Sequence, residues 1–207
     1  MEDEGAQREK VWDPALRVFH WSLAILVIAN WLLGQFGPTD MTLHFWLGYG
    51  VIALLAFRLV WGFVGPPSAR FSGFLRGPRA VAAYLPEMMR RRPSRWPGHS
   101  PVGALAVVAM LAVLILQVTT GLFADPGDFI NVGPLASEVS SGTARMALRW
   151  HHRGADLILI LVLLHWAALL FYRLWKHEDL VRPMITGWKL VRRRRDGSRP
   201  GTQSRPG

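Results

Sequence analysis

The sequence predicts an all-α fold: an integral membrane four-helix bundle with both termini in the cytoplasm. Three observations carry this reading. Four apolar stretches approach or exceed the roughly 20 residues that a helix needs to cross a bilayer. None of them alternates with a period of two, which disfavours a β-barrel. The basic residues concentrate in alternate connections, as the positive-inside rule requires.

Composition agrees. The chain has 207 residues, of which 51% are hydrophobic and only 18% charged, yet its net charge is +10. A chain this apolar and this basic must keep its charges apart from its apolar segments. The apolar stretches are too long and continuous for a nucleic-acid-binding protein. There is no cysteine. That excludes disulfides, thiolate metal sites, iron–sulfur clusters and covalently attached c-type haem. No G-x-S-x-G, P-loop, H-E-x-x-H or Rossmann pattern supports hydrolytic or nucleotide chemistry.

The elements follow in order. Residues 1–10, MEDEGAQREK, form a short polar tail. Residues 11–190 form one four-span domain. The first span covers about 18–36, VFHWSLAILVIANWLLGQF. It lies too far from the terminus, and is too polar within, to be a cleavable signal peptide. The second covers about 43–64, LHFWLGYGVIALLAFRLVWGFV. The loop from Gly65 to Pro101 follows, with Arg70, Arg76, Arg79, Arg90, Arg91, Arg92 and Arg95. A short amphipathic helix around Arg79 to Met89 would lie on the membrane surface. The third span covers about 102–123, VGALAVVAMLAVLILQVTTGLF, and the fourth about 145–175, ending GADLILILVLLHWAALLFYRLW. Residues 191–207 are basic and rich in Gly, Ser and Pro, expected to be disordered and close to anionic lipid.

Neither Gly37–Thr42 nor Ala124–Thr143 contains Lys or Arg. These two connections are therefore placed outside, and the termini and middle loop inside. Trp12, Trp21, Trp46, Trp61 and Trp175 lie near span ends, where an interfacial aromatic belt would put them.

Histidines carry the functional argument. Of the seven, His20, His44, His151 and His165 fall in spans or at their ends. Ionisable residues inside a membrane are costly and usually functional, although any one of them alone could simply pack helix on helix. Their heights are informative. The first and third spans run outward, the second and fourth inward. His20 and His165 then both lie toward the cytoplasm, and His44 and His151 toward the outside. Haem b needs this arrangement, with neutral imidazoles on facing helices and one on each side of the macrocycle.

Phase sharpens the choice. His151 and His165 are 14 residues apart, which places them about 40° apart on one helix face and about 21 Å apart along it. His152 lies about 140° from His165. His151 is therefore preferred as ligand, and His152 is left to cap, to bond a propionate or to face a cavity. Gly48 and Gly50, one turn after His44, would let a flat macrocycle approach the backbone, or equally let helices pack closely. Arg17 and Arg58 are candidates for the propionates of the inner haem, with snorkelling to the interface as the other explanation. Arg149 could serve the outer haem. Gln117, Thr119 and Thr120 form a polar patch that could bond backbone. His99 and His177 are expected at the surface.

Four segments now carry a resemblance: VWDPALRVFHW; HFWLGYGVIALLAFRLVWGFVGPPSARF; GHSPVGALAVVAMLAVLILQVTTGLFAD; and WHHRGADLILILVLLHWAALLFY with LVRPMITGWK. In this order, over roughly residues 10–190, the chain resembles the bacterial cytochrome b561 family, which includes the cytochrome b subunits of nickel–iron hydrogenases. The resemblance implies a four-helix membrane bundle with two b-type haems. It implies His ligands from the first, second and fourth spans, with two on the fourth. Those positions fall on His20, His44, His151 and His165, paired as His20 with His165 and His44 with His151. The second His of the His151–His152 pair departs from the family, where many relatives carry an acidic residue.

The function this implies is electron transfer across the cytoplasmic membrane, between a periplasmic redox partner and the quinone pool. The partner would be a hydrogenase or a c-type cytochrome. Membrane lipid surrounds the chain, and a homodimer is compatible with it. The competing reading is a non-redox scaffold or transporter whose His pairs bind metal or relay protons. Zinc wants its ligands clustered, and two pairs about 20 Å apart do not form one cluster. Proton relays usually bring intramembrane acids, and Asp156 is the only one within a span.

Overall fold

Asp13 starts the first long helix. Its Oδ1 accepts the Leu16 N–H at 3.0 Å, and Pro14 follows where a missing N–H goes unfelt. Helix α1 (Pro14–Phe36) therefore begins one turn before the apolar stretch does. The computed structural model describes residues 6–94, 96 and 98–192. The expected tail beyond 192 lies outside these residues, as does Arg95.

Helix α2 (Thr42–Val64) returns across the span. Two short helices follow, α3 (Phe71–Phe74) and α4 (Pro78–Met88). Ser100 then repeats the device at Asp13: its hydroxyl accepts the Gly103 N–H at 3.2 Å, and Pro101 opens α5 (Pro101–Phe123). A loop with one 3-10 turn (Ala136–Glu138) leads to α6 (Ser141–Trp175). Helix α6 has 35 residues, more than a span requires. It starts four residues earlier than expected because Ser140 caps it, accepting the Thr143 N–H. It closes with His177 in the left-handed region (φ 52°) while the Glu178 N–H reaches back to the Tyr172 carbonyl at 3.0 Å, a Schellman-type end. Helix α7 (Val181–Thr186) ends at Gly187 (φ 87°). A side chain there would meet the Trp12 carbonyl at 3.0 Å.

Four helices, α1, α2, α5 and α6, are long and apolar enough to cross a membrane. Their outward faces expose Leu, Ile, Val, Phe and Trp along their lengths. Water would not tolerate such a surface, whereas lipid would. The shared interior is Leu16, Phe19, Val51, Leu55, Leu111, Leu114 and Ile158. Helix α1 packs on α2, α2 on α5, and α5 most extensively on α6. Neither α1 nor α2 packs closely on α6.

The polar accessories gather at one end, beside the start of α1 and the end of α6. Here the sequence reading needs amendment, because the fold is not wholly helical. Strands β1 (Ala6–Lys10) and β2 (Trp188–Arg192) pair antiparallel, Lys10 opposite Trp188, so both presumed tails contribute to a ribbon. The Gly187 carbonyl accepts the Val11 N–H at 2.9 Å and the Trp12 N–H at 3.3 Å, which joins the ribbon to α1. The amphipathic helix expected at 79–89 exists as α4 but packs against α5, and Tyr84 is buried with its hydroxyl 2.7 Å from that of Tyr172. Buried Lys176 donates to the Arg90 carbonyl at 3.1 Å. Buried Glu178 accepts the Ser94 N–H and pairs with Lys189 at 2.6 Å.

Candidate functional site

Two histidine pairs span the gap between α6 and its neighbours. His20 on α1 and His165 on α6 have ring centroids 6.3 Å apart. His44 on α2 and His151 on α6 have centroids 6.0 Å apart. A metal held by one nitrogen of each ring, at the roughly 2 Å usual for metal–imidazole bonds, sets the centroids roughly 6 Å apart. Both pairs therefore have the spacing that a single shared iron requires. Among the described residues, no three of His, Asp and Glu converge as a metal cluster would need.

Hydrogen bonding fixes the rings of the His44–His151 pair. His44 Nδ1 lies 3.2 Å from the Asn30 carbonyl, and His151 Nδ1 lies 3.0 Å from the Gln117 carbonyl. A carbonyl only accepts, so each Nδ1 carries the proton and each Nε2 keeps its lone pair. The Gln117 amide donates to that lone pair of His151 at 3.3 Å. Glycines make room for the rings. A side chain at Gly121 would meet His151 Cε1 at 2.8 Å, and one at Gly34 would meet His44 Cε1 at 3.5 Å.

A cavity of about 560 Å³ adjoins this pair, lined by Asn30, Gly48, Gln117, Gly121 and His152 among others. That is within the roughly 300–1,000 Å³ of sites that enclose a cofactor-sized molecule. Gly48 faces the cavity, but Gly50 does not: a side chain there would meet Leu26 Cδ1 at 3.0 Å, so it serves the α1–α2 packing. His151 rather than His152 meets His44, while His152 is exposed and borders the cavity. Arg149 is exposed. Thr120 bonds the Leu116 carbonyl at 2.8 Å, as a backbone role predicts.

At the cytoplasmic end, the structure separates the two alternatives for Arg58 and moves His99. Arg58 does not snorkel. It is 2% exposed, with its guanidinium 4.5 Å from the Phe71 ring centre and Nη1 without a hydrogen-bond partner. Arg17 donates to the Ile185 carbonyl through Nη1, while its buried Nε has no partner. His99 was expected at the surface but is wedged between Trp12 (4.7 Å) and Phe74 (4.8 Å), its buried Nδ1 unpartnered. Burial, and then the charges of Arg58 and His20, push its pKa down to about 4. Trp12 itself is buried rather than interfacial. His177 is exposed, as expected.

The residues fit haem on structural grounds. The paired imidazoles have the right spacing, one pair has its tautomers set, and buried polar atoms lack protein partners beside both pairs. At the His44–His151 pair these are Asn30 Oδ1, Trp31 Nε1 and Gln117 Oε1. Sequence reasoning missed Asn30, Gly34, Gly121 and His99. Only a polar residue inside a span could have flagged Asn30; nothing local marks the others.

Comparison with known proteins agrees with this chemistry. The family described as prokaryotic cytochrome b561 matches residues 11–187. A probable Ni/Fe-hydrogenase B-type cytochrome subunit of Azotobacter chroococcum mcd 1 is 23% identical over 214 residues, covering 88% of each chain. Its counterpart in Azotobacter vinelandii is also 23% identical, again over 88% of each. That of Rhizobium leguminosarum bv. viciae is 22% identical over 90% of each.

Proposed function

Because this chain belongs to the prokaryotic cytochrome b561 family, a family of haem b electron-transfer proteins of the bacterial inner membrane, we propose that it moves electrons through two bis-His haems stacked across that membrane. The observation that carries this reading is the repetition of one spacing. Two His pairs, at 6.3 Å and 6.0 Å, share α6, with their α6 members 14 positions apart, about 21 Å along the axis. His20 and His165 hold one haem; His44 and His151 hold the other.

Haem b, when bound, supplies a one-electron ferric–ferrous couple. The chain's own groups do the rest. Donation from Nδ1 of His44 and His151 to the Asn30 and Gln117 carbonyls holds each ring in the ligating tautomer and raises its basicity. Two histidines per iron leave no position for a substrate. Gly34 and Gly121 give the rings room, and Gly48 lines the cavity without a side chain. Arg17 and Arg58 offer positive charge beside the His20–His165 haem.

The positive-inside distribution sets the orientation, with both termini in the cytoplasm. The His44–His151 haem then faces the periplasm and exchanges electrons with a soluble redox protein. Relatives named as hydrogenase subunits make a nickel–iron hydrogenase the first candidate and a c-type cytochrome the second. The quinone pool exchanges electrons at the His20–His165 end.

The test is transmembrane. Purified protein is loaded into vesicles with ferricyanide trapped inside and ascorbate outside. Ferricyanide reduction should exceed that of empty vesicles and should fall to that level in both His44→Ala and His165→Ala. Haem-loaded vesicles no faster than empty ones would overturn the proposal.

A further inference from the structure

The loop between α5 and α6 reaches over the α1–α2 connection and turns an apolar tip outward. Phe129 is 95% exposed and Ile130 68%. Phe129 has φ 63°, in the left-handed region that bulky residues avoid. The tip is fixed from both sides. Asp128 Oδ1 accepts the N–H of Ile130 at 3.0 Å and that of Asn131 at 2.8 Å. The Asn131 amide donates to the Thr39 carbonyl at 2.9 Å, and its Oδ1 accepts the Met41 N–H at 3.0 Å. Two large apolar side chains would normally turn inward. Here a strained backbone holds them out, which points to a partner that covers them.

The tip's surroundings are acidic. Asp40 and Asp128 are exposed and Asp125 is half-buried. Neither residues 37–42 nor residues 124–143 contain Lys or Arg. Hydrogen bonds lower the pKa of both exposed acids, from the Thr42 hydroxyl at Asp40 and from the Asn131 N–H at Asp128. Both therefore stay ionised at neutral pH. Arg145 and Arg149 belong to α6, which does not pack closely on α1 or α2. An anionic lipid surface would repel these carboxylates. The aromatic anchors of membrane interfaces are Trp and Tyr rather than Phe. A protein with the opposite charge suits the tip better than lipid does.

Resting on the outer-haem reading above, we propose that this tip is the docking surface for a soluble redox protein that presents an apolar patch ringed by Lys or Arg. Phe129 and Ile130 enter the patch, and Asp40 and Asp128 meet the ring. Position supports this, since Pro126, Asp128 and Asn131 also line the cavity that adjoins His44 and His151. A protein seated on the tip lies over that cavity, with its redox centre toward the haem held there. Apolar anchors supply affinity, while the charges around them set orientation and the rate of encounter.

The probe is mitochondrial cytochrome c, a soluble haem protein whose exposed haem edge is ringed by lysines. Its lysine-succinylated form, with that charge reversed, is the control. The protein is reduced in phosphatidylcholine nanodiscs, and its one-electron reduction of ferric cytochrome c is followed by stopped flow. The rate should fall steeply as salt rises, and the succinylated form should react several-fold more slowly at low salt. Asp40→Asn with Asp128→Asn keeps both Oδ1 acceptors but removes the charge. It should slow the reaction several-fold at low salt and flatten its salt dependence. Phe129→Gly suits a positive φ and should slow the reaction several-fold at every salt concentration, with haem content and oxidation by ferricyanide unchanged. Phe129→Asn should do the same. Arg145→Gln should not slow it. The chain has no cysteine, so a spin label on Phe129→Cys reports on the tip alone. A water-soluble nickel chelate should reach that label, and cytochrome c should immobilise it. Rates indifferent to Phe129 and to the two acids would overturn the assignment. So would a label that lipid shields from the chelate. A chain without the outer haem would fail the function proposed above, yet the label would still report docking.

Discussion

The imidazoles of His44 and His151 stand 6.0 Å apart, centroid to centroid, with planes 75° apart. Each is held from behind by a backbone carbonyl one helix away. Each ring therefore keeps Nε2 unprotonated. Replacing either with alanine removes one of two axial ligands. His44→Ala and His151→Ala should each lose one haem of two, the same one. His20→Ala and His165→Ala should each lose the other. Pyridine-haemochrome counts on purified variants check this. His152→Ala should keep both haems, since that ring is exposed beside the cavity.

Gly121 sets how close α5 comes to His151. A Cβ there would lie 2.8 Å from His151 Cε1 and 3.1 Å from Nδ1. The ring can yield only by giving up its bond to the Gln117 carbonyl. Gly121→Val should therefore cost most of the haem at the His44–His151 site and spare the other. Equal loss of both haems would mean general misfolding.

Tyr84 gives a pH prediction outside the spans. Burial, followed by its hydrogen bond to Tyr172, raises its pKa above the ordinary 10. The fold thus favours the neutral phenol. The stabilisation is whole below pH 10 and is lost as pH climbs beyond it toward the folded value. Melting temperature should fall steeply between pH 10 and pH 12, measured by loss of helical circular dichroism. Tyr84→Phe should be less stable at pH 8, by about 1 kcal/mol for the lost bond, and should fall less steeply. Parallel slopes would contradict the buried, proton-holding role.

Glu178 holds the accessory end together. Its carboxylate accepts from Ser94 N and Oγ and pairs with Lys189. Removing one partner of a buried ion pair leaves the other stranded, at about 3–5 kcal/mol. Glu178→Ala should lower the melting temperature and expose the loop around Ser94 to protease, with haem content in the membrane unchanged before heating. Glu178→Gln should be intermediate.

Much of this was legible in the sequence, and the limits are physical. The four spans follow from continuous apolar runs, and the larger shifts, at the starts of α1 and α6, come where Asp13 and Ser140 cap them. The pairing of His20 with His165 and of His44 with His151 follows from span direction and from helical phase. The ribbon of Ala6–Lys10 with Trp188–Arg192 was not legible, because its paired residues lie 178 to 186 positions apart in the chain and nothing local marks either segment as a strand. His99 was misread for a related reason. A His in a Pro-rich loop usually meets water, and here Trp12 and Phe74 of α3 enclose its ring. Asn30 and Gln117 act through their backbone carbonyls, which sequence does not distinguish.

The most direct measurement is the reduced-minus-oxidised absorbance spectrum of the detergent-purified protein, with haem counted per chain. Two b-type haems, each with the sharp α-band of low-spin bis-His iron near roughly 560 nm, are expected. One haem would contradict the pairing at one site. A well-folded chain, expressed with ample haem yet binding none, would contradict the central claim altogether.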